Sequence, residues 1–249
     1  MEVRCTQCGA SLDVSADQRL LVCPFCSTAL VVEGENVLFR QAMRPTVAAA
    51  EAPAHLRRFL AGDATVAGLD REARVGEPEL VFFPFWAFTI VVDGEERVEL
   101  SPAAPSTLQG LHGLILPAGT SLDAQSLADS GAPVLEPEVP VETARGWLEE
   151  RHEGAAIRRT VLYHLPLYRI SYSWKGRSYR AAVDGVTGRV YPADFPAKAE
   201  APYMAVAVVA LVVFGLEGLI VGNLLVKLAL YLVSVPPVLG LAWLVTRKV

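Results

Sequence analysis

All four cysteines of this 249-residue chain lie within its first 26 residues, and they form two matched pairs. The pairs are Cys5-x-x-Cys8 and Cys23-x-x-Cys26, separated by fourteen residues. A C-x2-C turn directs two thiolates at one centre, and two such turns joined by a short hairpin complete a tetrahedral S4 site. The sequence therefore predicts a zinc ribbon over residues 1–35, with these four cysteines as metal ligands.

Such a small segment cannot bury enough apolar surface to fold alone, so the metal must supply the difference. Structural zinc contributes on the order of 10–16 kcal/mol of apparent binding free energy at neutral pH. We therefore expect structural zinc as the cofactor. Two alternatives stay open at this point: a pair of disulfides, and iron in a rubredoxin-like site, because the same sulfur geometry accepts either metal.

The C-terminal fifth of the chain contains two long apolar runs. They cover residues 203–222 and 224–245, and each is interrupted by a single charged residue. About 20 apolar residues suffice for a helix to cross a hydrocarbon core of roughly 30 Å. The sequence thus predicts a transmembrane helical hairpin over residues 201–249, turning at Asn223.

Basic residues flank both ends of this predicted hairpin. Lys198 precedes the first run, and Arg247 and Lys248 follow the second. By the positive-inside rule, both chain termini are expected on the cytoplasmic side of the inner (plasma) membrane. Reduced thiols for a metal site require the same compartment.

The charges and glycines within the two runs suggest specific contacts. Glu217 and Lys227 lie at similar depths and are expected to form an intramembrane ion pair, because an unpaired charge is costly in lipid; separate snorkelling of each side chain is the alternative. Gly215, Gly218 and Gly222 share one helix face, which favours close helix packing. This face is expected to seat the second helix, with a homo-oligomer formed by a second copy as the alternative.

Residues 36–200 contain an internal repeat. The letters F-P-F-W at 83–86 recur as L-P-L-Y at 165–168, and a turn glycine follows at Gly94 in the first copy and at Gly176 in the second. Alternating apolar residues before such turns are typical of β-hairpins, with proline at or near the start of the leading strand. Whether the two hairpins share one sheet stays open.

The repeat, at about 79–100 and 161–192, predicts an antiparallel β domain. Short helices are expected around it, at 51–60 and at 141–152, from their caps and amphipathic spacing. The fold class is therefore α+β: an N-terminal zinc ribbon, a cytoplasmic β domain of two similar hairpins, and the C-terminal transmembrane hairpin.

Charge and motif content narrow the function. The formal charge is −5, and residues 1–202 carry 19 basic and 26 acidic side chains. This balance disfavours a nucleic-acid surface, since such surfaces need clustered Lys and Arg. The four histidines are far apart in sequence, and neither a phosphate-binding glycine loop nor a G-x-S-x-G motif is present. We therefore expect no enzyme.

The order of these features resembles a group of uncharacterised bacterial membrane-anchored zinc-ribbon proteins. The carriers are the four cysteines, the repeat motifs at 83–86 and 165–168, and the V-D-G-V-T-G-R-V run at 183–190, which resembles a PepSY-type hairpin. The resemblance implies location and architecture. We expect a membrane-anchored adaptor that binds a protein partner at the bilayer, with a tethered nucleic-acid-binding ribbon and a rubredoxin-like iron electron carrier as alternatives.

Overall fold

The computed structural model describes the chain except for residues 1, 16–17, 35, 199–200, 221 and 249, and except for the side chains at 201–203, 205, 241 and 244–248. The chain forms two compact units. One comprises residues 1–59 and 72–195, and the other comprises residues 60–71 and 196–249.

The described residues form a mixed α+β structure dominated by strands. The strands are β1 (Glu2–Arg4), β2 (Ser11–Asp13), β3 (Leu20–Val22), β4 (Ala29–Glu33), β5 (Asn36–Met43), β6 (Arg74–Val75), β7 (Glu79–Val92), β8 (Glu95–Pro102), β9 (Ser121–Leu122), β10 (Ala156–Trp174), β11 (Arg177–Asp184) and β12 (Val190–Pro192). The helices are α1 (Ala52–Leu60), α2 (Leu69–Glu72), α3 (Ala124–Asp129), α4 (Val141–Arg151), α5 (Ala201–Ile220) and α6 (Leu224–Lys248).

The 19-residue strand β10 is the centre of a ten-stranded sheet in the first unit. At residues 161–164 it pairs with β7 antiparallel on one edge and with β5 parallel on the other. At residues 172–173 it pairs with β11 and with β6. Strand β5 also pairs with β4, and β4 with β3, so the second cysteine-bearing hairpin belongs to this same sheet.

Both repeated motifs lie in this one sheet, in hairpins β7–β8 and β10–β11. Their leading strands pair antiparallel, and Phe83 lies opposite Leu165, its own counterpart 82 residues later. Pro84 follows Phe83 in β7, and Pro166 follows Leu165 in β10. The two prolines lie on opposite sides of the pair because the strands run in opposite directions. The two copies are therefore related locally by an approximate twofold axis that passes between Phe83 and Leu165.

Each proline immediately precedes its hairpin ladder, although the strands themselves start earlier than the sequence suggested. Strand β7 begins five residues before Pro84, at Glu79, yet its pairing with β8 extends only from Phe85 onward. Similarly, β10 pairs with β11 only from Leu167, the residue after Pro166. The missing proline N–H thus falls where no hairpin partner needs it, which explains how proline is tolerated inside a central strand.

Strand β7 is apolar on both faces because each face contacts a different core. Phe83 and Phe85 lie in a core with the β11 and β12 strands, whereas Trp86 and Phe88 lie in a core with helix α4. A strand buried on both faces is a continuous apolar run instead of an alternating one. The Trp86 indole also donates a hydrogen bond of 2.8 Å to the Val139 carbonyl.

A buried carboxylate organises the turn after β11. The side chain of Asp184 is buried, and it accepts hydrogen bonds from the Val186 amide at 2.7 Å and from the Thr187 hydroxyl at 2.7 Å. The Gly188 amide bonds back to the Asp184 carbonyl at 2.8 Å. Burial of a carboxylate is tolerated here because these local donors satisfy it.

Replacing Asp184 with alanine is expected to lower the free energy of unfolding by about 2 kcal/mol, because hydrogen bonds to a charged acceptor are lost and the Val186 and Thr187 donors lose their partner. Urea denaturation of the full chain measures the change. Asp194→Ala, which removes an exposed carboxylate two residues after β12, is the matched control. Equal midpoints for the two variants would contradict the role given to the Asp184 carboxylate.

In the second unit, helices α5 and α6 are antiparallel neighbours joined through Asn223. The Asn223 side-chain oxygen accepts a hydrogen bond from the Leu225 amide at 3.0 Å and so caps α6. The rings of Phe214 and Tyr231 pack edge to face, with centroids 5.8 Å apart. Many large apolar side chains on both helices are exposed, among them Leu219.

Among the residues that the structure describes, no helix combines the length and the apolarity needed to cross a membrane. The predicted transmembrane hairpin over 203–222 and 224–245 is therefore wrong, as is the inner-membrane location inferred from it.

Candidate metal centre

The four predicted ligands come from two short hairpins of the first unit. Strands β1 and β2 flank the first cysteine pair, and β3 and β4 flank the second. A small core lies beneath them and contains Cys5 and Cys23. The apolar members of this core are Val3, Leu12, Val14, Leu21, Leu30 and Val32. The apolar positions of these hairpins therefore orient two of the four sulfur ligands from within the core.

Both cysteine turns have the same backbone hydrogen bonds. The Cys5 amide donates to the Ala10 carbonyl at 2.9 Å, and the Gly9 amide donates to the Cys5 carbonyl at 2.9 Å. In the second turn, the Cys23 amide donates to the Thr28 carbonyl at 2.9 Å, and the Ser27 amide donates to the Cys23 carbonyl at 2.8 Å. The turns are thus two copies of one knuckle, each with its two cysteines directed towards the other.

The four sulfur atoms lie within 4.8 Å of one another. The Cys5 and Cys26 sulfurs are 3.7 Å apart, as are those of Cys8 and Cys23, and no disulfide joins them. A tetrahedron with metal–sulfur bonds of about 2.3 Å has edges of about 3.75 Å. The cluster therefore has the dimensions of a four-thiolate metal site, which confirms the predicted clustering and disfavours the two-disulfide alternative.

Neighbouring groups shift the pKa values of Cys8 and Cys26 in opposite directions. The side chain and backbone of Thr28 lower the pKa of Cys26 to about 6, and the sulfur lies 3.2 Å from the Thr28 hydroxyl. The Ala10 amide favours the thiolate of Cys8, but desolvation and the neighbouring sulfurs outweigh it and raise the pKa of Cys8 to about 12. Four thiolates at these distances repel one another, so a bound cation is what permits them to coexist.

Ser27 occupies the strained position of the second knuckle, which no sequence signal predicts. Gly9 has φ +76° in the first knuckle, and Ser27, its counterpart, has φ +59°. Left-handed backbone is favourable for glycine and costly for other residues, most of all for β-branched ones. The exposed Phe25 and the acceptor Glu33, which pairs with Arg19, were also not singled out from the sequence.

Replacing Ser27 with valine is expected to weaken metal binding by about tenfold, because a β-branched side chain raises the cost of the left-handed conformation by about 1–2 kcal/mol. Competition with a chromophoric chelator measures the affinity. Ser27→Gly is the matched control and should bind at least as tightly as the natural sequence. Equal affinity of the valine and glycine variants would show that this backbone conformation is unimportant to the centre.

The structure gives Glu217 and Lys227 different hydrogen-bond partners. The Lys227 ammonium donates to the Gly218 carbonyl at 2.8 Å, and the Ser234 hydroxyl donates to the Glu217 carboxylate at 3.1 Å. The contacts that hold these two side chains are therefore hydrogen bonds to other groups and not the predicted ion pair. The last turn of a helix offers free carbonyl acceptors to a nearby lysine, and here the Gly218 carbonyl takes that role.

The three glycines Gly215 and Gly218 of α5 and Gly222, two residues after its end, differ in how closely other atoms approach them. A Cβ atom at Gly218 would lie 3.2 Å from the Tyr231 hydroxyl, whereas positions Gly215 and Gly222 face open space. Close helix contact therefore involves one of the three. Along the described residues, the approach is made by an aromatic side chain and not by the backbone of α6.

Comparisons with known protein families, with curated proteins and with solved structures find no match for this chain. Of the resemblance to membrane-anchored zinc-ribbon proteins, the clustered cysteines are the part that the structure supports.

Proposed function

We propose that this protein is a non-enzymatic zinc-ribbon adaptor, in which the metal shapes a surface that binds a protein partner. The observation that carries the proposal is the four-sulfur geometry. Cys5, Cys8, Cys23 and Cys26 supply all four corners of a tetrahedron, so no coordination position is left for a substrate or a water molecule. A closed site of this kind stabilises structure and does not activate a ligand.

Zinc is the metal that suits this role. It has no redox chemistry and accepts a tetrahedral four-thiolate site, and structural zinc typically folds hairpins as small as β1–β2 and β3–β4. Iron in the same sulfurs would instead make an electron carrier. Metal analysis of the purified chain distinguishes the two, because one colourless zinc ion per chain supports the adaptor and a red, redox-active protein contradicts it.

The second knuckle presents an apolar surface beside the metal. Phe25, between two of the ligands, is 72% exposed, and Val22 before the knuckle is 44% exposed. Exposed aromatic residues are enriched among the anchors of protein interfaces. The ribbon around them is acidic, and this sign disfavours a nucleic-acid partner and favours a protein.

Affinity purification of the full chain from its native cells tests the proposal. We expect a specific protein that is recovered with the natural sequence, lost with Phe25→Ala, and retained with Ile115→Ala, which truncates a residue 79% exposed elsewhere in the unit. Recovery of the same proteins with both variants would contradict the knuckle as the interface. Salt-dependent retention of DNA or RNA would instead support the nucleic-acid alternative.

A further inference from the structure

A cavity of about 740 Å³ lies over one face of the large sheet, in the first unit. Its apolar lining comes from strands β7, β10 and β11 and from two loop leucines. The apolar residues that contact it include Val81, Phe83, Leu167, Ala182, Leu108 and Leu135. This volume falls in the range of small-molecule sites, which are mostly apolar with a few polar groups that fix the ligand's orientation.

Four charged residues line the same cavity, two acidic and two basic. Arg169 and Glu79 neutralise each other through an ion pair of 2.9 Å. Arg180 and Glu77 line the cavity as well, and among the described residues neither has an ion-pair or hydrogen-bond partner for its side chain. The cavity thus has one cationic and one anionic side chain, both of exposed residues, that pair with no protein group among the described residues.

These two charged residues without a protein partner flank the same residue of β10. Ser171 lies opposite Arg180 on one edge of the strand, and on the other edge its carbonyl accepts a hydrogen bond from the amide of Gly76, the neighbour of Glu77. Neighbouring strands are about 4.8 Å apart, so the two backbones are separated by roughly 10 Å. Their long side chains reach into the cavity from opposite sides, which brackets a ligand with two separated, opposite charges.

We propose that this cavity binds a short apolar peptide whose two ends are both free. Its carboxylate pairs with Arg180, its ammonium pairs with Glu77, and its side chains occupy the apolar part formed in part by Leu108 and Leu167. A fatty acid fits less well, because its single carboxylate leaves Glu77 unmatched and meets a lining of zero net charge. No lining residue belongs to the metal-bearing hairpins, so this site is separate from the proposed adaptor surface.

Titration calorimetry with trileucine on the full chain tests the proposal. We expect a dissociation constant below about 1 mM, and a loss of about tenfold when the peptide is amidated at its carboxyl end or acetylated at its amino end. Arg180→Gln should weaken trileucine about tenfold while leaving the amidated peptide unaffected, because each change removes the same pair. Glu77→Gln should show the same pattern with the acetylated peptide.

Arg177→Gln is the matched control, since Arg177 is an exposed arginine of the same strand that does not line the cavity. It should bind trileucine as the natural sequence does. The proposal is overturned if trileucine does not bind at millimolar concentration, if Arg177→Gln and Arg180→Gln have the same effect, or if decanoate binds as tightly as trileucine. Loss of the zinc-dependent partner leaves these results unchanged, so the two proposals fail separately.

Discussion

Removing the metal from the four-cysteine centre is expected to unfold both N-terminal hairpins of this protein. Strands β1, β2 and β3 have three residues each, and the core beneath them is small and includes the ligands Cys5 and Cys23. Such a segment depends on metal binding worth on the order of 10–16 kcal/mol. We expect a strong chelator to release one metal ion per chain and to expose four thiols to a thiol reagent.

Limited proteolysis and mass spectrometry locate the change. Without metal, cleavage should begin within residues 2–34, whereas hairpin β10–β11 should stay protected by its own packing. Cys23→Ser should reproduce the metal-free pattern even when zinc is supplied. Phe25→Ala, which changes an exposed residue between the ligands Cys23 and Cys26, should retain both the metal and the protease resistance. Resistance of the Cys23→Ser variant would refute the dependence of these hairpins on the metal.

The metal ligands could be predicted from the sequence because their geometry is local. Each C-x2-C turn fixes two sulfurs within a few residues, and two such turns so close in the chain have few other arrangements. The conformation of Ser27 could not be predicted in the same way, since serine has no intrinsic preference for a positive φ. Only the matching hydrogen bonds of Gly9 and Ser27 reveal that the two turns are equivalent.

The repeat could be predicted as two hairpins, but their pairing could not. The turns at Gly94 and Gly176 determine which strands are neighbours within each hairpin, because a glycine at positive φ suits a two-residue turn. The pairing of β7 with β10, and of β10 with β5, joins residues far apart in sequence. Such contacts depend on the packing of whole faces, which a local pattern does not specify.

The C-terminal runs show a different limit. Their apolar composition predicts helices, and α5 and α6 are helices that meet at Asn223. Composition alone did not establish a membrane crossing. The similar distances of Glu217 and Lys227 from the turn at Asn223 did not identify their hydrogen-bond partners. Those partners, Ser234 and the Gly218 carbonyl, depend on which side chains face each other across the two helices.

His164 lies at the centre of the sheet and is fully buried. One ring nitrogen, Nε2, lies 2.9 Å from the Leu135 carbonyl, and the other, Nδ1, has no partner among the described residues. A neutral ring that donates from Nε2 fits this environment, whereas a protonated ring would bury an unsatisfied N–H. Burial lowers the pKa of His164 to about 4, and the positive charge of Arg40 acts in the same direction, although the Leu135 hydrogen bond opposes it.

Acidification is therefore expected to destabilise the fold through His164, by up to about 3 kcal/mol. The unfolded chain takes up a proton below pH 6.5, but the folded chain does so only near pH 4. This contribution to stability is complete above pH 6.5 and is lost progressively as the pH falls from 6.5 to 4. At pH 5.5 the loss is about 1.4 kcal/mol relative to pH 7.5.

Urea unfolding at several pH values, in the natural sequence and in His164→Gln, measures this contribution. Glutamine does not protonate and keeps a donor for the Leu135 carbonyl, so its stability should fall less steeply between pH 7 and 5. The metal centre and the carboxylates are common to both proteins. The difference between their slopes of unfolding free energy against pH therefore reports the protonation of the His164 ring. His112→Gln, which removes an exposed histidine, controls for the loss of a histidine as such. Parallel pH profiles for the natural sequence and His164→Gln would mean that the buried ring takes up its proton as readily in the folded chain as in the unfolded one.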